Sequence, residues 1–172
     1  MVVYVLRLSH RIGRDKRIST HCGLVARAFG ANSIFYSGEK DESLEKSIKA
    51  AVKEWGGSFE VKHVDKWKRF IKDFEGEKIH LTMYGLPVQK TIPKIRKFRK
   101  NLLLIVGGEK VPGEVYQLAD FNVSVTSQPH SEVAALAIFL HEYFQGVELT
   151  KKFHNAKSKV IPQERGKKVI QP

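Results

Sequence analysis

One cysteine, Cys22, stands in 172 residues. That excludes an intramolecular disulfide and a zinc site built from cysteines. The histidines offer no substitute, because HExxH is missing and His10 and His21 are separated by a basic stretch. Neither GxxxxGK[ST] nor GxGxxG occurs, so a P-loop and a Rossmann dinucleotide site are both unsupported. No G-x-S-x-G elbow occurs either, which makes a serine hydrolase a poor reading. Apolar runs stay far below membrane-spanning length, and the N-terminus has no signal-peptide layout. The expectation is a soluble cytoplasmic protein with no membrane and no metal. Acid is also scarce: 18 Asp and Glu face 30 Lys and Arg, a formal net charge of +12.

The basic excess is clustered. Lys90, Lys94, Arg96, Lys97, Arg99 and Lys100 follow one another with no acid between them. Arg7, Arg11, Arg14, Lys16 and Arg17 surround a single Asp15. After Thr150 come Lys151, Lys152, Lys157, Lys159, Arg165, Lys167 and Lys168 against one Glu164. Segregation of this kind suits a surface that tracks phosphates, so nucleic acid is the expected partner.

Apolar periodicity gives repeated β–α alternation. Strands are expected at residues 2–8, 33–36, 59–64, 79–84, 102–106 and 122–125. Between them fall helices. The first is expected to start at Ser19 or Thr20, run to Phe29 and stop at Gly30, leaving residues 9–17 as a basic loop. Asp41 can cap the second, with Leu44, Ile48, Val52 and Trp55 on its inner face and Gly56-Gly57 at its end. Shorter helices are expected at 65–74, at 92–99 with Pro93 in the first turn, and at 114–118. A long helix covers 129–144. The fold class is therefore α/β, a largely parallel sheet with helices on both faces. Residues 159–163 and 168–172 echo each other around Gly166, which reads either as an edge β-hairpin or as a disordered basic tail.

Loops that follow buried strands carry the unusual residues. Gly107-Gly108-Glu109-Lys110 follows one strand, Thr126-Ser127-Gln128-Pro129-His130-Ser131 another, and Gly85-Leu86-Pro87 a third. Open α/β sheets bind ligands at the carboxyl ends of their strands, and glycine lets backbone approach a ligand closely. A glycine turn after a strand is also ordinary architecture, and His130 reads equally as a turn residue or a ligand contact. Arg27 lies among Ala26, Ala28, Val25 and Phe29; such an arginine either snorkels to solvent or is held for a purpose.

The stretch Arg11-Ile12-Gly13-Arg14-Asp15-Lys16-Arg17 leading to Thr20-His21 is distinctive. So are Ala26-Arg27-Ala28-Phe29-Gly30, His80-Leu81-Thr82-Met83-Tyr84-Gly85, Gly107-Gly108-Glu109-Lys110-Val111-Pro112, and the run from Asn122 to Glu132. Over nearly the whole chain these resemble the archaeal tRNA 2'-O-methyltransferases that modify cytidine 56, members of the SPOUT superfamily. The resemblance implies a deep trefoil knot in the C-terminal half, S-adenosyl-L-methionine (AdoMet) as cofactor, tRNA as substrate and a homodimer. It divides the chain into a SPOUT domain at 1–150 and a basic extension at 151–172.

It also implies cofactor contacts at Leu81, Gly85, Gly107, Gly108, Glu109, Lys110 and Val111, and at Val125, Thr126, Ser127, Gln128, Pro129, His130, Ser131 and Glu132. It nominates Arg17 or Arg27 beside the attacking hydroxyl, with His21 as an alternative base. An arginine with pKa above about 12 is a poor base, so gripping a phosphate is its safer role. Arg11, Arg14, Lys94, Arg96, Lys97 and Arg99 would hold RNA. Two other readings stay open: a non-catalytic RNA-binding protein, and a SPOUT enzyme that methylates a base.

Overall fold

The structure, a computed structural model, describes residues 1–108 and 110–172. Six strands form one sheet: β1 (Val3–His10), β2 (Ser33–Gly38), β3 (Glu60–His63), β4 (Glu77–Pro87), β5 (Leu102–Gly107) and β6 (Phe121–Ser124). All neighbours pair in parallel, in the order β3-β2-β1-β5-β4-β6. The helices are α1 (Ile12–Ala28), α2 (Glu42–Trp55), α3 (Trp67–Lys72), α4 (Val88–Ile95), α5 (Glu114–Leu118) and α6 (Glu132–Phe144).

Strand alternation divides the core in two. Val3 and Val5 of β1, with Leu102, Leu104 and Val106 of β5, face α1, α2, α4 and α6. Leu6 and Leu8, with Leu103 and Ile105, face the shorter α3 and α5 through Ile71 and Val115. Parity places Arg7 on the first face, and there it is buried at 1% exposure.

Three expectations are corrected. α1 begins at Ile12, not at Ser19 or Thr20, so most of the expected basic loop is helix. Its opening N–H on Ile12 donates to Glu39 Oε2 at 2.6 Å, a cap supplied from after β2 that local sequence cannot reveal. Ser19 is instead buried inside the helix, with its hydroxyl on His10. The helix expected at 92–99 runs Val88–Ile95, because Val88, Thr91, Ile92 and Ile95 form the buried stripe. Pro93 then lies near its end, and the basic residues from Arg96 onward lie beyond it. Finally, α6 starts at Glu132 rather than 129, with Ser131 Oγ accepting from Ala134 N at 3.3 Å.

After α6 a short 3-10 turn, Val147–Thr150, leads the chain back to α2. Gly57 N donates to His154 O at 2.8 Å, and Lys157 N and Ser158 N both donate to Glu54 O at 2.9 and 3.0 Å. Beyond this anchor β7 (Lys159–Val160) pairs antiparallel with β8 (Val169–Ile170).

Candidate active site

The carboxyl ends of β4, β5 and β6 open into a cavity of about 640 Å³. From β4 come His80, Leu81, Thr82, Met83 and Tyr84; from β5 and its loop Val106, Gly107, Gly108, Lys110 and Val111. Tyr116 of α5 adds a wall, and the start of α6 adds Pro129, His130, Ser131, Glu132 and Ala135. A volume of this size suits a nucleoside-sized ligand.

An irregularity in β4 makes the room. Leu81 and Leu86 both stand opposite Val123, so the four residues between them bulge out of the ladder. Gly85 then crosses the backbone of β6. A Cβ there would lie 2.5 Å from Asn122 C and Val123 N, so no larger residue fits without moving a strand.

Buried polar groups fix the walls. Asn122 Nδ2 donates to the Tyr116 carbonyl at 3.0 Å, which orients Asn122 Oδ1 toward His80 Nδ1 at 2.9 Å. The Asn122 oxygen can only accept, so the proton of His80 sits on Nδ1 and Nε2 keeps a bare lone pair. Burial lowers the pKa of His80, against the Asn122 hydrogen bond that raises it, so the ring is neutral. His80 Nε2 is buried with no partner. Thr82 Oγ1 and Tyr116 OH share a hydrogen bond of 3.0 Å beside it.

On the other wall Arg7 Nη2 meets Glu132 Oε1 at 3.2 Å, and Arg7 Nη1 donates to the Leu8 carbonyl. A Cβ on Gly108 would stand 3.6 Å from Arg7 Nη2, so the guanidinium lies directly under the glycine loop. Arg7 therefore joins β1, the β5 loop and the start of α6. Sequence placed it in a phosphate-gripping cluster, but its burial removes it from any RNA surface. The parity of β1 was the one sign of this.

Residues 55–170 match the family described as tRNA ribose 2'-O-methyltransferase, aTrm56. A Thermococcus kodakarensis protein named tRNA (cytidine(56)-2'-O)-methyltransferase is 52% identical, over 99% of this chain and 97% of its own. A Methanocaldococcus jannaschii protein of the same name is 53% identical, over 99% and 97%. The chain belongs to the aTrm56 family. Its fold is shared more widely. The AdoMet-bound rRNA methyltransferase from Sinorhizobium meliloti superposes with TM-score 0.59 at 17% identity, over 85% of this chain and 57% of that one. The chain thus spans just over half the length of that structure.

Within this aTrm56 chain, the cavity wall holds Leu81, Gly107, Gly108, Lys110, Val111, Pro129, His130, Ser131 and Glu132 of the expected cofactor residues. Glu109 lies outside the described residues. Gly85 and Val125, Thr126, Ser127 and Gln128 are not wall residues: Gly85 packs on β6, and the others form the turn that leads to Pro129. His130 is both a turn residue and a wall residue, since its Nδ1 donates to the Gln128 carbonyl at 2.7 Å. Sequence reasoning missed His80, Thr82 and Tyr116. The quoted motif from His80 to Gly85 contained two of them, yet only tertiary packing brings Tyr116 to His80, ring to ring at 4.6 Å.

The nominated catalytic groups lie elsewhere in the subunit. Arg17 and His21 are exposed on α1 and are not cavity-wall residues. Arg27 sits near the far end of α1, about 22 Å beyond Ile12 at 1.5 Å per residue. It is buried, donates through Nη2 to the Gly56 carbonyl at 2.6 Å, and stacks on Phe153 at 4.4 Å. Burial pulls its pKa below the ordinary value. Of the two open readings, Arg27 is held rather than left to snorkel, and within the subunit the Gly56 carbonyl and the Phe153 ring hold it. Cys22 is inert, because burial pushes its thiol up to about 12.

Proposed function

We propose that this protein methylates the ribose 2'-oxygen of cytidine 56 in tRNA, with AdoMet as methyl donor. One observation carries the reading: near full-length identity of 52% to an enzyme of that name, in a chain whose glycine-rimmed cavity fits a nucleoside cofactor. AdoMet, when bound, supplies an activated methyl group on a sulfonium sulfur.

The residues fit that group. His80 Nε2 is a buried acceptor without a donor, and the adenine amine or a ribose hydroxyl is a donor of the right kind. Gly107 and Gly108 bring backbone to the wall with no Cβ between. Glu132 is held by Arg7, so its charge is neutralised before any cation enters. The wall residues would hold the cofactor, and Lys110 and His130 at the mouth would orient the incoming ribose. The hydroxyl proton needs an acceptor. Arg17 and His21 project from the exposed face of α1, and we assign them to the cavity of a partner subunit in a homodimer. The exposed Ile12, Ile138, Val147 and Leu149 support such an apolar interface.

The finer features of the family reading go with this proposal. We take residues 1–150 as the SPOUT domain, with a trefoil knot that draws β6 past the β4 bulge; the close passage at Gly85 supports it. We take the basic extension 151–172 as a hairpin that meets tRNA, together with Arg11, Arg14, Lys94, Arg96, Lys97 and Arg99. All six of these basic side chains are exposed. Among the described residues no helix is long and apolar enough to cross a membrane, and we place the protein in the cytoplasm with its substrate.

The test uses unmodified tRNA transcript and methyl-labelled AdoMet, followed by digestion to nucleosides. Label in 2'-O-methylcytidine, abolished when position 56 is deoxycytidine, is the expected result. Label in a methylated base would overturn the ribose chemistry. Bound tRNA with no label would favour an RNA-binding module.

A further inference from the structure

A second cavity, of about 660 Å³, opens over the other half of the sheet. It lies at the carboxyl ends of β1 and β2 and beside the segment after β3. It shares Gly108 and Lys110 with the first cavity, so the two are neighbours across one loop. We propose that this second cavity holds the target cytidine, and that Asp65 and Trp67 select its base. The proposal rests on the ribose-methylation reading.

The sheet order supplies the first argument. The chain winds outward from β1 to β3 and then crosses to β4, so strand order reverses beside β1. Ligands of open α/β sheets sit at such a reversal, and doubly wound sheets hold one nucleoside in each half. Methyl transfer also requires donor and acceptor in contact. With the cofactor in the first cavity, an acceptor ribose must border it, and Gly108 and Lys110, which line both cavities, are a border with nucleoside-sized room behind it.

The lining supplies the second. Arg11 Nε donates to Asp15 at 3.1 Å, which anchors one edge of a half-exposed guanidinium. Arg14 and Lys110 join it on the wall, and guanidinium and ammonium groups suit the flanking phosphates. Trp67 is half-buried with Lys68 Nζ 5.6 Å from its ring centroid, and an indole is a stacking platform for an unpaired base. Asp65 has an open carboxylate, 3.4 Å from His63 Nδ1. A carboxylate accepts from the N4 amine of cytosine, whereas uracil presents a carbonyl oxygen there and is repelled.

The floor supplies the third. Ser9 has φ of 57°, a left-handed conformation that serine rarely adopts. It occurs where the β1–β2 register shifts. The strain is held in place by Ser37 Oγ on Ser9 N at 3.1 Å, and by buried His10, which bonds Ser19 Oγ at 2.8 Å and Asp41 Oδ2 at 3.3 Å. Strained backbone that its surroundings hold in place clusters at active sites and ligand clamps.

Two measurements test this. In Trp55→Phe protein the remaining indole is Trp67, so its emission reports occupancy without turnover. Cytidine 5'-monophosphate should quench it, and uridine 5'-monophosphate should do so at least threefold more weakly. Steady-state methylation of transcripts carrying C or U at position 56 is the second. Trp67→Ala should raise KM for tRNA about tenfold, and Asp65→Asn should cut the C-over-U preference about tenfold. AdoMet binding by calorimetry should stay unchanged in both. Because Trp67 also packs on the core, the surface variant Asp65→Asn keeps the outcome decisive if Trp67→Ala misfolds. No quenching, or an unchanged C-over-U ratio in Asp65→Asn, overturns the assignment. Quenching in Trp55→Phe protein, with wild-type protein that never yields ribose methylation, would instead defeat the functional reading.

Discussion

A fully buried arginine is the sharpest demand any single residue makes here. Arg7 is 1% exposed, and Glu132 supplies its counter-charge across the cavity wall. Removing one partner of a buried pair strands the other, at a cost of about 3 kcal/mol or more. Glu132→Ala should therefore lower the melting temperature by several degrees and weaken AdoMet binding in calorimetry. Replacing both partners with apolar residues should restore stability without restoring cofactor affinity. An unchanged affinity in Glu132→Ala would show that the pair does not position the loops.

Asp41 sets a second residue-level expectation. Burial by itself raises its carboxyl pKa. The hydrogen bonds from Ser43, Leu44 and His10 outweigh burial and hold it below the usual carboxylate value. A carboxyl depressed in the folded state contributes stability above its unfolded pKa and loses it as pH falls through the folded one. Stability should thus be full at neutral pH and fall below about pH 4. Asp41→Asn should show lower stability at pH 7 and a flatter acid limb in pH-dependent thermal unfolding; parallel limbs would contradict this.

At the scale of elements, α1 ties the two ends of the molecule together. Its start takes a cap from Glu39 and carries Arg11 and Arg14 to the second cavity. Its end carries Arg27 to the Gly56 carbonyl and to Phe153. Arg27→Ala removes a charged hydrogen bond and a cation–π contact, together worth about 2 kcal/mol locally. Limited proteolysis within residues 151–172 should accelerate several-fold, while AdoMet binding stays unchanged. An intact tail with abolished methyl transfer would restore the catalytic role that sequence offered for Arg27. The placement of α4 has a bearing too, since ending it at Ile95 leaves Arg96, Lys97 and Arg99 beyond the helix and exposed.

For the whole molecule, the charge of +12 is spread over surfaces that different elements contribute. Each phosphate neutralised adds roughly 0.7 to 0.9 to the slope of log affinity against log salt. Neutralising Lys94, Arg96 and Lys97 together should reduce the tRNA salt slope by about 2 and weaken binding, with AdoMet affinity intact. An unchanged slope would remove this patch from the RNA surface.

Much of the architecture was legible because its signals are local. Short apolar runs, alternating in β1 and β3 and continuous in β5, marked the six strands of the sheet. Asp41, followed by Leu44, Ile48 and Val52, marked α2, with Gly56 at its end. The glycine loop after β5 pointed to the cavity, since a glycine pair after a buried strand is visible without knowing its neighbours. Other facts depend on groups far apart in the chain. Glu39 caps α1, Tyr116 orients Asn122 and through it His80, and Arg7 is inside only because Glu132 comes to meet it. An apolar pattern records which side chains leave water. It holds no record of which strand lies beside which, so tertiary structure alone decided that β5 stands between β1 and β4 and parts two cavities along one sheet edge.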